Sequence, residues 1–259
     1  MSTLAIGAHV GQDDPIGQAI SMGLDHVQLF VGDPQGWKAS VIPHPDGAEA
    51  LKKQAESAGI GIYVHARYLI NVATSNNKVR IPSRKMLQSD VDAAASIGAK
   101  GVIVHGGHVT ADDDPQLGFD NWAKALAQLD MKVPVFIENT AGGQHAMARR
   151  VDAIKQLWDS VGDTGVGFCL DTCHAHAGGI PIETAADTIL GITGRIDLVH
   201  CNNSRDDFDS GADRHANLAV GKIDVNDLLS CLKTANAPIV LETPHDAVSD
   251  DIAALRAAF

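Results

Sequence analysis

Short apolar runs separated by longer segments of helical spacing recur from one end of this 259-residue chain to the other. The runs occupy residues 5–10, 26–30, 62–65, 101–105, 135–138, 167–171, 196–200 and 239–242. Helical spacing fills residues 47–58, 84–97, 121–129, 147–161, 182–190, 225–234 and 250–259. Strands that alternate with helices imply right-handed crossovers and a parallel sheet. About eight such units at this length predict a closed barrel, a single (β/α)8 TIM barrel over residues 1–259, rather than an open doubly wound sheet. No Pro/Ser-rich linker or change of composition divides the chain, so one domain is expected. Aromatic residues are only 4% of the chain, which leaves aliphatic side chains to supply most of the burial.

The last residues of these runs carry the chemistry. From the third run onward they read His65, His105, Glu138, Asp171, His200 and Glu242. In a barrel these positions converge on the C-terminal mouth, where such folds place their active sites. One histidine at a strand end is ordinarily a hydrogen-bonded core or rim residue, and one glutamate could be the buried partner of an arginine. Six in succession are another matter, because unpaired buried carboxylates are costly and few Lys or Arg lie nearby in sequence. Two further segments add donors. In Leu170-Asp171-Thr172-Cys173-His174 the imidazole follows the carboxylate by one turn, and in Asp213-Arg214-His215 both flanking side chains fall on one side of an extended loop. Four carboxylates and five imidazoles exceed the needs of one tetrahedral ion and suit a cluster with bridging carboxylates. Such a donor set, without thiolate, selects Zn, Mn or Fe.

Formal net charge is -12, which taken alone argues against a nucleic-acid binder. Three divalent cations would halve that charge and concentrate the change in one cleft. Cys169, Cys173, Cys201 and Cys231 form no C-x-x-C pair and are expected as reduced core thiols of a cytosolic protein. The N-terminus lacks a basic leader and no run reaches membrane-helix length, so a cytoplasmic protein is expected. The long polar stretch from Cys201 to about Ile223 is expected to be a functional loop. His26, His44, His145 and His245 read as surface or rim residues. His9 reads as a packed residue behind the ligands or a phosphate contact, and His108 and His176 as neighbours of ligands. No P-loop or dinucleotide fingerprint is present, so no nucleotide cofactor is implied.

Read in order, Ile6-Gly7-Ala8-His9-Val10, Tyr68-Leu69-Ile70-Asn71, Val102-Ile103-Val104-His105-Gly106-Gly107, Glu138-Asn139-Thr140-Ala141-Gly142, Leu170-Asp171-Thr172-Cys173-His174 and Asp213-Arg214-His215 resemble the endonuclease IV family of apurinic/apyrimidinic endonucleases, in its short actinobacterial form. The resemblance spans nearly the whole chain. It implies a trinuclear zinc site, with manganese or iron able to replace zinc at some positions. His65, His105 and Glu138 would hold the first ion. Glu138 would bridge to a second, shared with Asp171, His200 and Glu242. His174, Asp213 and His215 would hold the third. The implied reaction is base-excision repair: hydrolysis 5′ to an abasic site in double-stranded DNA, with Glu138 and Glu242 as catalytic carboxylates. The implied products are a 3′-hydroxyl and a 5′-deoxyribose phosphate. Tyr68, Arg67, His9 and Asn71 are the expected DNA contacts, and a monomer is the expected form.

The resemblance has departures. The loop after the second strand, Val31-Gly32-Asp33-Pro34-Gln35-Gly36-Trp37, carries an Asp and no Arg where relatives present basic side chains. Arg67 and Asn203 stand where Pro and Asp are common, and Ala216-Asn217-Leu218-Ala219-Val220-Gly221 lacks an acidic residue seen in some relatives. None is a ligand position. Two other functions share these residue types: a metal-dependent sugar isomerase or epimerase on a related barrel, and a DNA-binding relative without turnover. The third donor set, His174, Asp213 and His215, argues against the isomerase, which needs no third ion.

Overall fold

A computed structural model describes residues 4–42 and 44–259. Residues 1–3, the start of the segment read as lacking a leader, lie outside the described residues. In chain order the elements are β1 (Ile6–His9), α1 (Pro15–Met22), β2 (His26–Leu29), α2 (Ala48–Ala58), β3 (Gly61–His65), α3 (Asn77–Ser96), β4 (Val102–His105), α4 (Gln116–Leu126) and β5 (Val135–Glu138). There follow α5 (Val151–Val161), a 3-10 turn (Gly162–Thr164), β6 (Gly167–Asp171), α6 (Thr172–Ala177), α7 (Ile182–Thr193), β7 (Leu198–His200), β8 (Asn203–Ser204), β9 (His215–Ala216), α8 (Val225–Ala235), β10 (Ile239–Leu241) and α9 (Val248–Ala258).

Eight parallel strands close in the order β1-β10-β7-β6-β5-β4-β3-β2, and this is the (β/α)8 barrel that the alternation predicts. The helices bury one stripe against it. In α5 that stripe is Ile154, Leu157, Trp158 and Val161, at the three- and four-residue intervals of a helix face. Each large aliphatic or aromatic side chain so buried contributes roughly 1.5–3 kcal/mol. Among the described residues, no helix is long and apolar enough to cross a membrane.

Strand alternation builds the barrel interior in layers. Tyr63, Ile103, Phe136, Cys169, Leu198 and Val240 form an apolar cluster inside the barrel. Each stands two residues before His65, His105, Glu138, Asp171, His200 or Glu242, so these six follow on the same inward face, one layer nearer the mouth. Parallel register sets His105 beside Glu138 and Asp171 beside His200.

Several sequence expectations are corrected. His26, read as surface or rim, is buried inside the barrel, where its Nε2 lies 2.8 Å from the Ile239 carbonyl and its ring meets Tyr63 edge-on. A Cβ on Gly7 would overlap that ring, so glycine at position 7 makes room for it. Helix α3 starts at Asn77 and runs through Pro82, with the Asn76 side chain capping Lys78 N; the sequence reading started it only at residue 84. The helix expected at 147–161 begins at Val151, because Met147 and Ala148 bond instead to the loops after β4 and β5. The polar stretch after β7 is not wholly irregular. It folds back as the antiparallel pair β8–β9, with Ser204 opposite His215.

Candidate metal centre at the barrel mouth

Five imidazoles and four carboxylates gather where the strands end. Three sets of donor atoms lie mutually within 4.8 Å: His65, His105 and Glu138; Glu138, Asp171, His200 and Glu242; and His174, Asp213 and His215. All nine sequence candidates are in these sets, and Glu138 belongs to two of them. Its Oε2 is 3.3 Å from both His65 Nε2 and His105 Nε2, while its Oε1 is 2.8 Å from His200 Nδ1 and 3.4 Å from His174 Nδ1. Asp213 Oδ1 stands 3.0 Å from His174 Nε2 and 3.2 Å from His215 Nε2.

The rings are oriented from behind. His65 Nδ1 donates to the Ala66 carbonyl at 2.6 Å, and His174 Nδ1 to that of Asn139 at 2.9 Å. His215 Nδ1 donates to the Glu242 carbonyl at 3.3 Å, and His200 Nε2 to Gln28 Oε1 at 2.8 Å. Four imidazoles thus have one nitrogen tied to an oxygen acceptor and the other aimed at carboxylates, the arrangement that fixes the tautomer of a metal ligand. His174 Nε2 and His215 Nε2 are buried without a hydrogen bond, because Asp213 is near them but out of line. Two buried, orphaned nitrogens facing one carboxylate fit a cation placed between them.

Cys169 and Cys173 also come near ligand groups, the first with Glu138 and His200, the second with Asp171 and His215. Burial pushes both thiols up to about 12, which keeps them protonated at neutral pH in the metal-free protein. All four cysteines are free and buried.

The charges in the cluster hold one another. Burial raises Glu138, but the imidazoles of His200 and His105 outweigh it and keep the carboxyl well below its usual range. Burial opposes charge on His174 and His215 too. The Asp171 and Asp213 carboxylates beside them outweigh it, raising His174 well above the imidazole range and His215 to about 9. Burial dominates at His105 and lowers it to about 4.

Three amides escaped the sequence reading. Gln28, wholly buried, accepts from His200 and donates from Nε2 to Glu242 Oε1 at 2.6 Å and His9 Nδ1 at 3.1 Å. Asn202 donates to Asp171 Oδ2 at 2.7 Å and accepts from Glu242 N at 2.8 Å. Asn139 accepts from Asp171 N at 2.7 Å and donates to its carbonyl at 2.9 Å. The inward alternation of β2, His26 then Gln28, is the signal that could have revealed the first.

The expected DNA contacts fare unevenly. Tyr68 is exposed and, with His9, Glu242 and His245, lines a cleft of about 470 Å³ over the donors. Its ring stacks on His105 at 5.9 Å. Arg67 is corrected: its guanidinium is buried and paired with Asp90 Oδ1 at 2.9 Å, so it is withdrawn from the surface. It binds Ser40 and the carbonyls of Val31 and Lys38, which fastens the loop after β2. The Asn71 amide joins the loops after β3 and β4 through His108 N and O and Thr74 N. Of the remaining histidines, His108 and His245 are exposed and His44, His145 and His176 are half-buried; none is in the donor sets.

The family model for xylose isomerase-like TIM barrels matches residues 16–258. The chain is 57% identical over 254 residues to the probable endonuclease 4 of Mycobacterium tuberculosis, covering 98% of each protein. It is 54% identical over 253 residues to the probable endonuclease 4 of Mycobacterium leprae, again covering 98% of each. Among solved structures, endonuclease IV from Thermus thermophilus matches with a TM-score of 0.84 at 29% identity, over 98% of both chains. A D-tagatose 3-epimerase-like protein matches with a TM-score of 0.79 at 16% identity, over 98% of this chain and 97% of the other, a likeness of fold alone. The three-set mouth and these relatives lead to one assignment: the chain belongs to the endonuclease IV family of enzymes, built on the xylose isomerase-like TIM barrel.

Proposed function

We propose that this chain hydrolyses the phosphodiester 5′ to an abasic site in double-stranded DNA, leaving a 3′-hydroxyl and a 5′-deoxyribose phosphate. One observation carries the reading: three metal-type donor sets meet at the mouth, two of them joined through Glu138. His65, His105 and Glu138 would hold one zinc, Glu138, Asp171, His200 and Glu242 a second, and His174, Asp213 and His215 a third. The pinned rings and the two orphaned Nε2 atoms fit such ions. Zinc there supplies Lewis-acid polarisation of a phosphodiester and makes water a usable nucleophile at neutral pH.

The chain's own residues set the geometry. Glu242 has Oε1 held by Gln28 and Oε2 3.3 Å from Asn202 Nδ2, and its side chain reaches the cleft. Burial would raise it, but the imidazoles of His200 and His65 bring it down to about 2, so it stays a carboxylate that orients the attacking water. Tyr68 and His9 form the rim that receives the sugar and its flanking backbone. An abasic nucleotide has no base to unstack, which lowers the cost of drawing it into the cleft and favours it over intact DNA.

A duplex with one tetrahydrofuran abasic analogue tests this directly. Zinc-loaded enzyme is expected to nick it on the 5′ side, leaving a 3′ end that a polymerase extends. Glu138→Gln is expected to abolish the nick while circular dichroism stays native. No nick by fully loaded wild type, or near-native cutting by the variant, would overturn the reading.

A further inference from the structure

The cleft over the donor sets is lined by histidines, carboxylates and one permanent cation among the described residues, Arg205. Other cations of the same loop region are paired: Arg214 with Asp206, Lys222 with Asp207, and Arg149 and Arg150 with Asp209. Arg205 makes no such pair among the described residues. Its side chain is exposed, yet it is fixed at the base, because Nε donates to the His215 carbonyl at 2.9 Å. Its backbone N donates to Arg214 O at 3.0 Å and so extends the β8–β9 pairing by one residue. The hairpin that delivers His215 to the donors therefore delivers Arg205 to the rim beside it.

From this we propose that Arg205 grips a phosphodiester of the bound strand next to the one being cut, an inference that rests on the function proposed above. The donor sets are rooted in the barrel, around the wholly buried Glu138, and the phosphate to be cut must approach them. Arg205 stands outside those sets, at the solvent side of the same cleft. With Nε engaged, its two terminal nitrogens are left as a planar fork, which matches the paired oxygens of a phosphodiester. In a protein of net charge -12, an unpaired arginine at the rim gives the DNA backbone a local point of attraction. Arg205 is thus a binding residue, expected to act on KM rather than on the chemical step.

Steady-state incision of the tetrahydrofuran duplex by zinc-loaded wild type, Arg205→Ala and Arg205→Lys, at several salt concentrations, tests this. Arg205→Ala is expected to raise KM about tenfold at low salt and leave kcat within about twofold, as for a lost charged hydrogen bond. The salt dependence of log KM should fall by about one unit of slope, the signature of one phosphate contact removed. Arg205→Lys should keep the slope and lose part of the affinity. An unchanged KM and slope in Arg205→Ala, with wild type cutting normally, would overturn this inference alone. A fall in kcat together with lost zinc would also overturn it, by making Arg205 only a prop for His215. Failure of wild type to cut would overturn the functional reading itself.

Discussion

At the scale of single residues, buried amides set the ligands that end the strands: Gln28 holds His200 and Glu242, and Asn202 holds Asp171. Gln28 touches His200, Glu242 and His9 at once, so it fixes ring and carboxylate together. Gln28→Ala is expected to weaken metal affinity about 10–100-fold, the usual cost of losing a partner behind a ligand. A competition titration against a chelating dye would measure it, and wild-type affinity would show that Gln28 is mere packing. The ligand types were legible because they end strands, whereas these amides were not. Glutamine and asparagine carry no charge signal, and their partners are remote in sequence: Gln28 meets His200 from 172 positions away and Glu242 from 214. Arg67 illustrates the reverse error. A basic residue beside Tyr68 suggested a DNA contact, but the Asp90 that buries it lies in α3, beyond what spacing can show.

At the scale of elements, strand positions were readable to within a residue or two, and helix starts less so. Helical spacing over 84–97 covers only the later part of α3; the helix tolerates Pro82 in its second turn, and Asn76 caps it farther upstream. The β8–β9 pair was read as a loop because two-residue strands have no periodicity to detect. Arg67 and Asp90 join two elements, the loop after β2 and α3, through a buried ion pair. Arg67→Ala leaves Asp90 buried without its partner and is expected to cost about 3–5 kcal/mol in urea unfolding. The double change Arg67→Met with Asp90→Leu should recover most of that loss, since an apolar pair of similar size avoids the desolvation of both charges. A double variant as unstable as the single one would show that the hydrogen bonds to Val31 O and Lys38 O, not the charges, hold the loop.

For the whole molecule, the closed barrel followed from the strand–helix alternation, and the converging donors followed from the barrel. The metal-free protein should have a pH optimum set by its histidines. His215, raised to about 9, contributes stability that is complete below about 6.5 and lost as pH rises through about 9. His9, His26 and His105, each lowered to about 4 by burial, contribute stability that is complete above about 6.5 and lost as pH falls toward 4. Stability without metal should therefore peak near pH 6.5. Metal must displace the protons on His174 and His215, so its stabilising effect should grow between pH 6.5 and 9. Thermal melts of metal-free and zinc-loaded protein across that range would show the gap in Tm widening. A constant gap would mean that these histidines do not bind the metal.

The decisive experiment for a three-ion mouth is reconstitution of the metal-free protein with zinc, following incision of the abasic duplex at each equivalent added. Three donor sets around one barrel mouth predict about three zinc ions per chain, with cleavage reaching its maximum only as the third is bound. Full cleavage with one or two ions, and no uptake of a third, would contradict it.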